Sequence, residues 1–477
     1  MRLRGGIVVG AEFDDRTLEF VDLAGETIVT LAFAIPGEAV PGWEADGEEL
    51  LLAETGGVRS LLRASWDGAL LLQLTVDNLR PEPVELPYLG LGVTVGEGYA
   101  GWSWTSDAAG LIAVTSARDA RGGVLLRLRQ GFLRAARELP VFADEPHEPG
   151  GLDAVGRGAF HLSPPGALLG GHRRHSVTLE IDTLDSLSDA VAGLPAWLPG
   201  VVVRAGTQID LSLPDHAVVP GPGVDAMVVD TDVVLTGQPG HREVSVQGRG
   251  VDRVRLSWHP ALGELLPALV TGLTRRPASR ASDAAGYVVV DAVARGLAPD
   301  REKALDWLDG VDWLERDSLL GDATAGLAAA VQGEELQLDA AWRLLARRPL
   351  SPGYGLVTMR LWLATLSATG EPPALARELL AREAPDDSTD LELCVLRYQG
   401  PDEMIGLDGP LAGLIDLLGG PLPGRPVGLP ASRAAIAVSL LKLCPEGWSR
   451  SEQAAEAASK AEGLLLADYA PPPGEEA

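Results

Sequence analysis

Apolar and polar residues alternate through most of the first 260 positions, and from there apolar residues recur three and four apart almost to the end. Alternation marks a half-buried strand, and the longer spacing marks one face of a helix. The change falls in Val254-Arg255-Leu256-Ser257-Trp258-His259-Pro260-Ala261-Leu262. Val254, Leu256 and Trp258 share one side of a strand. Pro260 ends the ladder because it has no N–H, and it suits the first turn of a helix. Leu262, Leu265, Leu266 and Leu269 then continue at helical spacing. Trp258 is expected to anchor the two halves, and His259 to be a solvated residue at the junction.

The pattern predicts a β-then-α multidomain chain. Residues 1–183 carry about a dozen strands, too many for one immunoglobulin-like sandwich, and predict a large antiparallel two-sheet β-sandwich. Trp66-Asp67-Gly68-Ala69 reads as a hairpin with a two-residue turn. Residues 184–200 read as a short helix and a Pro/Gly linker, and 201–259 as a small Ig-like β-sandwich. Residues 260–468 form an α-helical domain of antiparallel helix pairs, an incomplete toroid or a solenoid, in which Tyr354–Ala368 is apolar on nearly every side and so reads as the surrounded helix. The tail 469–477 reads as disordered.

Composition narrows the function classes. The net charge of −28 is spread over both halves with no basic stripe, so nucleic acid and anionic membrane are not expected partners. No run approaches the ~18 apolar residues of a membrane helix. No apolar stretch near Met1 has signal-peptide length, and the expected location is the cytoplasm. There are three lysines and a single asparagine, Asn78, the usage of a GC-rich bacterial genome. Cys394 and Cys444 both fall in the helical half and read as small buried hydrophobes.

The chain contains no nucleophile elbow, Walker loop, dinucleotide fingerprint, H-E-x-x-H or C-x-x-C. All seven histidines lie at or before His259, so the helical half has no imidazole base and no histidine ligand. His172-Arg173-Arg174-His175 places arginines where a metal would need carboxylates. No metal and no cofactor are expected.

The order of parts, with Leu74-Thr75-Val76-Asp77-Asn78-Leu79-Arg80-Pro81-Glu82-Pro83-Val84-Glu85-Leu86 as strand, polar turn and return strand, resembles carbohydrate-active proteins that join a β-supersandwich to an (α/α) toroid. Inverting glycoside hydrolases, disaccharide phosphorylases and some polysaccharide lyases share that plan. The resemblance implies an oligosaccharide ligand and, for an enzyme, glycoside hydrolysis by carboxylates alone. The alternative is a non-catalytic scaffold whose helical array receives a protein partner.

Three sets of residues could carry such chemistry. Trp102 and Trp104, two apart on a strand and followed by Asp107, could stack a sugar ring and bind its hydroxyls, or could pack beneath helices. Asp291, inside Tyr287-Val288-Val289-Val290-Asp291-Ala292-Val293, could be a general acid, or could pair with Arg295 one turn on. Asp339, ahead of Trp342, is a similar candidate. The run Asp306, Asp309, Asp312, Glu315, Asp317 supplies paired carboxylates but lies opposite Trp307, Leu308, Val311 and Leu314, as a solvated face would.

Overall fold

The computed structural model describes residues 10–34, 49–136, 157–382, 408–419 and 431–468, apart from stretches of one to three residues within them. The Asp67-Gly68 turn, Cys394, most of the 195–200 linker and the tail lie outside the described residues. The chain is β first and α after, as the periodicity predicts. It packs as two compact units. One comprises Met1–His259 with Leu411–Ala434 and Ser459–Ala477, and the other Pro260–Pro410 with Ala435–Ala458.

The first unit holds the large sandwich. One sheet orders its strands Gly10–Asp14, Thr17–Val21, Thr27–Ala34, Gly90–Val95, Arg157–His161 and Arg134–Ala135. The other runs Glu49–Thr55, Val58–Trp66, Leu70–Asn78, Arg174–Thr183, Gly123–Gln130, Gly110–Ser116 and Tyr99–Thr105. Neighbouring strands in both are antiparallel. Inward residues of both sheets, among them Phe20, Ile28, Phe33 and Leu91 from one and Leu62, Leu72, Leu74, Leu126 and Ile181 from the other, share a single core. The strand Gly110–Ser116 is buried on both sides, which fits its unbroken apolar run Leu111-Ile112-Ala113-Val114.

Asn78 explains the polar turn in the Leu74–Leu86 stretch. It is buried, its amide donates to the carbonyls of Glu82, Leu169 and Gly170, and its Oδ1 accepts from the N–H of Arg80. One side chain thereby holds two loops, because an amide both donates and accepts.

The same unit holds the small sandwich. One sheet has Val202–Arg204, Val251–His259, Gly240–Gln247 and Ala217–Pro220 in that order, and the other has Ile209–Ser212, Asp232–Gly237 and Val224–Val229. Trp258 is fully enclosed in this core with Leu211, Leu235, Val244 and Leu256, and its Nε1 donates to Thr207 O at 3.0 Å. It therefore fills the small sandwich, where the sequence pattern predicts an anchor between halves: the inward side of its strand is this core. His259 is half-buried, and a Cβ on Gly463 would come within 2.9 Å of its ring. It is a packed residue, not a solvated one.

The helices that lie within the described residues are α1 (Leu187–Val191), α2 (Leu262–Leu273), α3 (Asp283–Ala294), α4 (Arg301–Asp309), α5 (Leu319–Gln332), α6 (Glu335–Arg347), α7 (Tyr354–Thr369), α8 (Asp408–Gly419), α9 (Ala431–Lys442) and α10 (Ser451–Asp468). Side chains of Ser282, Asp300 and Ser318 cap α3, α4 and α5, satisfying N–H groups that lack intrahelical partners. The surrounded helix is α5, and not Tyr354–Ala368 as its composition predicts. Every residue from Gly321 to Ala330 is buried, whereas α7 leaves Leu363 and Leu366 exposed. Side-chain size is the reason. Gly326 and the alanines of α5 let its neighbours approach, so that a Cβ at 326 would lie 2.7 Å from Leu361 and 3.1 Å from Ala341. Among the described residues no helix is long and apolar enough to cross a membrane.

Candidate ligand site on the helical unit

Two helices of the second unit each carry one charge that their apolar surroundings make conspicuous. Tyr287 and Asp291 sit one turn apart on α3 and so on the same side of it. Arg360 is the single charged residue of α7. Its Nε and Nη2 both reach Asp291 Oδ1, at 2.8 and 2.7 Å, while Arg295 Nε donates to Asp291 Oδ2 at 2.6 Å. The carboxylate is mostly covered, but the side chains of Arg360 and Arg295 keep 29% and 46% of their surface in solvent. Burial first, and the negative charge of Asp291 second, push the Tyr287 hydroxyl up to about 12, against the opposing pull of Arg360 and Arg295.

This geometry decides what Asp291 can do. The pairing with Arg295 is present and Arg360 joins it, so both carboxylate oxygens are engaged and neither is free to pass a proton to a leaving oxygen. The cluster instead offers two partly exposed arginine side chains beside a largely buried phenol. Such donors suit hydroxyl or carboxylate groups of a ligand, and two guanidiniums around one carboxylate leave one net positive charge.

Asp339 lies elsewhere, on the outer side of α6, in an exposed pair with Arg343 at 2.9 Å. It shares no partner with Asp291, and α5 packs against both α3 and α6. Asp306, Asp309, Asp312, Glu315 and Asp317 are all exposed. Among them Asp312 caps a short turn, and Asp309 accepts from Gln332 Nε2 at 2.9 Å.

A second polar network, absent from the sequence reading, runs through the interior of the same unit. Asp322 has no exposed surface, and Arg348 reaches it through Nε at 2.7 Å and Nη2 at 3.2 Å. Arg348 also bonds Asp317 and the carbonyl of Arg316. Chiefly through the bond to Asp322, the Arg348 guanidinium is held above its ordinary value. Arg382 donates to the carbonyl of Arg348 at 2.8 Å and lies over the Tyr354 ring, 5.6 Å from its centroid. The Tyr354 hydroxyl is itself buried and donates to Leu345 O at 2.9 Å. These groups brace α5, α6 and α7 and present nothing to solvent at Asp322 or Tyr354.

In the first unit, Trp102 and Trp104 are both buried, in a cluster with Leu111, Ala113 and Leu125 of the sheet, Leu187 and Ala190 of α1, and Leu417 of α8. The Trp104 Nε1 is enclosed without an acceptor among the described residues. Asp107 is held by a two-pronged pair with Arg134, whose Nε lies 2.6 Å from Oδ1. Of the two readings of the tryptophan pair, this packing matches the one in which helices cover it.

His241 links two elements of the first unit. Its Nδ1 is 2.7 Å from Ser257 Oγ and its Nε2 is 2.7 Å from Asp468 Oδ1 at the end of α10. The residue types are those of a hydrolase triad, but Ser257 is buried in mid-strand. The line fastens α10 to the small sandwich. The His172–His175 run is likewise structural: Arg174 pairs with Asp77, and His175 Nε2 lies 3.1 Å from Leu162 O. Among the described residues no group of three or more metal-ligating side chains gathers.

No family model and no curated protein matches the sequence. Among solved structures the chain is similar to one described as a polysaccharide lyase, with a TM-score of 0.54 and 12% identity over 98% of this chain and 82% of that one. What they share is the fold. A TPR-domain containing protein from Parabacteroides distasonis also aligns, at 8% identity, but its TM-score of 0.18 is too low to carry an argument.

Proposed function

We propose that this protein is carbohydrate-active in the broad sense: it binds a polysaccharide chain, and the Tyr287–Asp291–Arg295–Arg360 cluster is a contact point for that chain. The observation that carries the reading is the likeness of fold, along nearly the whole chain, to a polysaccharide lyase. The cluster supports it with two partly exposed arginine side chains, a residue type suited to sugar hydroxyls or carboxylates. The engaged oxygens of Asp291 speak against its use as the general acid of a glycosidase, so hydrolysis by Asp291 and Asp339 is not part of the proposal.

Affinity electrophoresis of the full chain in gels containing neutral or uronate-rich polysaccharides tests this. Retardation in at least one gel, weakened by Arg360→Met, is the expected result. Migration unaffected by every polysaccharide would sink the proposal. Assaying the same mixtures for new reducing ends and for the absorbance of an unsaturated uronate separates a hydrolase, a lyase and a non-catalytic binder.

A further inference from the structure

The small sandwich has one side where its strand composition and its strand position disagree. The strand Val224–Val229 pairs only with Asp232–Gly237, and Ala217–Pro220 only with Gly240–Gln247, among the described residues. Each is the last strand of its sheet, and Gly221-Pro222-Gly223 joins them, so the two open edges follow one another in the chain. An edge strand normally protects itself with charge, proline or polar alternation. The edge strand Ile209–Ser212 does so, with Ile209 and Leu211 buried and Asp210 and Ser212 exposed.

Val224–Val229 has one charge, Asp225, near its start, and no polar alternation after it. After Val224 every residue is exposed, on both sides of the strand. Met227, Val228 and Val229 leave 56%, 73% and 45% of their surfaces in solvent, and Val219 on the neighbouring edge leaves 46%. Ala226-Met227-Val228-Val229 is the unbroken apolar run of a strand covered on both faces, yet it sits where nothing described covers it. The edge is also pre-formed. A side chain at Gly221 would strike the carbonyl of Glu243, Gly223 holds φ +77, and Asp230 turns the chain at φ +56. A shaped edge spares an incoming strand part of the ordering cost.

Charge selects among occupants. Asp225, Asp230 and Asp232 are all exposed around the apolar run, in a chain of net charge −28. A second copy would bring the same acids to the same edge. We propose that Val224–Val229 docks an extended segment of another polypeptide, apolar at its centre and flanked by lysine or arginine, which joins the three-stranded sheet as a fourth strand. Backbone hydrogen bonds supply the pairing, the apolar side chains are covered, and the three aspartates set the preference for basic flanks.

The test uses the full chain and a fluorescein-labelled nonapeptide, Lys-Arg-Val-Thr-Val-Thr-Val-Arg-Lys, followed by anisotropy. Saturable binding is expected, and a peptide with proline at its centre, or with glutamate replacing every Lys and Arg, should bind at least about tenfold more weakly. Val228→Lys and Met227→Lys, both on exposed positions, should each weaken binding by a similar factor while leaving the circular dichroism unchanged. Lack of saturable binding, equal binding of the proline or glutamate peptide, or indifference to both lysine variants would overturn the proposal. So would a wild-type dimer in sedimentation that Val228→Lys dissolves, since the occupant would then be a second copy.

Discussion

Replacing Asp322 by alanine removes the one carboxylate in α5 and leaves Arg348 with its inner side unmatched. The side chain of Asp322 has no exposed surface, and Arg348 keeps only 20% of its own. Breaking a buried ion pair on one side costs about 3–5 kcal/mol, because a charge stays buried without its counter-charge. Arg348 retains Asp317, which is almost fully exposed, and the carbonyl of Arg316, so the lower end, about 3 kcal/mol, is expected. For a body of 150–250 residues that corresponds to a fall in Tm of roughly 6–12 °C.

The measurement is a urea melt of the full chain followed by its helical circular dichroism. A double variant, Asp322→Leu with Arg348→Met, removes both charges and should recover most of the loss, since apolar replacement of a buried pair is often neutral or better. A loss under about 1 kcal/mol in Asp322→Ala, or a double variant as unstable as the two single changes added together, would refute the view that the pair is a fully enclosed brace.

Three further outcomes are expected. Arg174, and after it Arg59, hold the Asp77 carboxyl below its ordinary 3.8; a depressed folded value gives stability that is full above the unfolded value and lost as pH falls through the folded one. Asp77→Asn should therefore flatten the acid unfolding of the wild-type chain below about pH 4, and parallel wild-type and variant curves would contradict this. Gly237→Ala would drive a Cβ into the Trp258 ring, so a destabilisation of about 1–3 kcal/mol in chemical denaturation is expected, and an unchanged midpoint would show that the ring can move aside. Burial pushes the Cys444 thiol up to about 11, so its alkylation at pH 8, read by peptide mass mapping, should be roughly a hundredfold slower than that of a free thiol; a rate like that of free cysteine would count against the packing around it.

The order of the fold was legible because periodicity reports which side of an element is buried, and that property is local. The change at Val254–Leu262 marks the passage from strand to helix within a few residues. Which helix is surrounded was not legible from apolar content, since α7 has the bulkier apolar residues and α5 the smaller ones. Close approach by neighbours depends on size, and Gly326 and the alanines of α5 carried that signal.

At the candidate site the Asp291–Arg295 pair was readable from its four-residue spacing. Arg360 was not found, because its partner is 69 residues away; its isolation within α7 was the available cue, as was that of Asp322 within α5. Trp102 and Trp104 show the opposite difficulty. Two tryptophans on one side of a strand look the same in sequence whether sugar or helix covers them, and α1 with Leu417 occupies that side.

The bond from His241 to Asp468 spans 227 residues of chain, and this bears on when the end of α10 can dock on the small sandwich. Loop-closure entropy grows with the length of free chain between two points that must meet. Left unfolded, the segment between His241 and α10 imposes the whole of that cost on this one docking step. Once the second unit has folded, much of the segment no longer counts as free chain, and the end of α10 reaches the sheet across a shorter effective loop. Amide protection in the last turn of α10 should accordingly appear after protection in α3 to α7. In kinetic terms, the last helix is the latch on a structure that begins to form more than two hundred residues earlier.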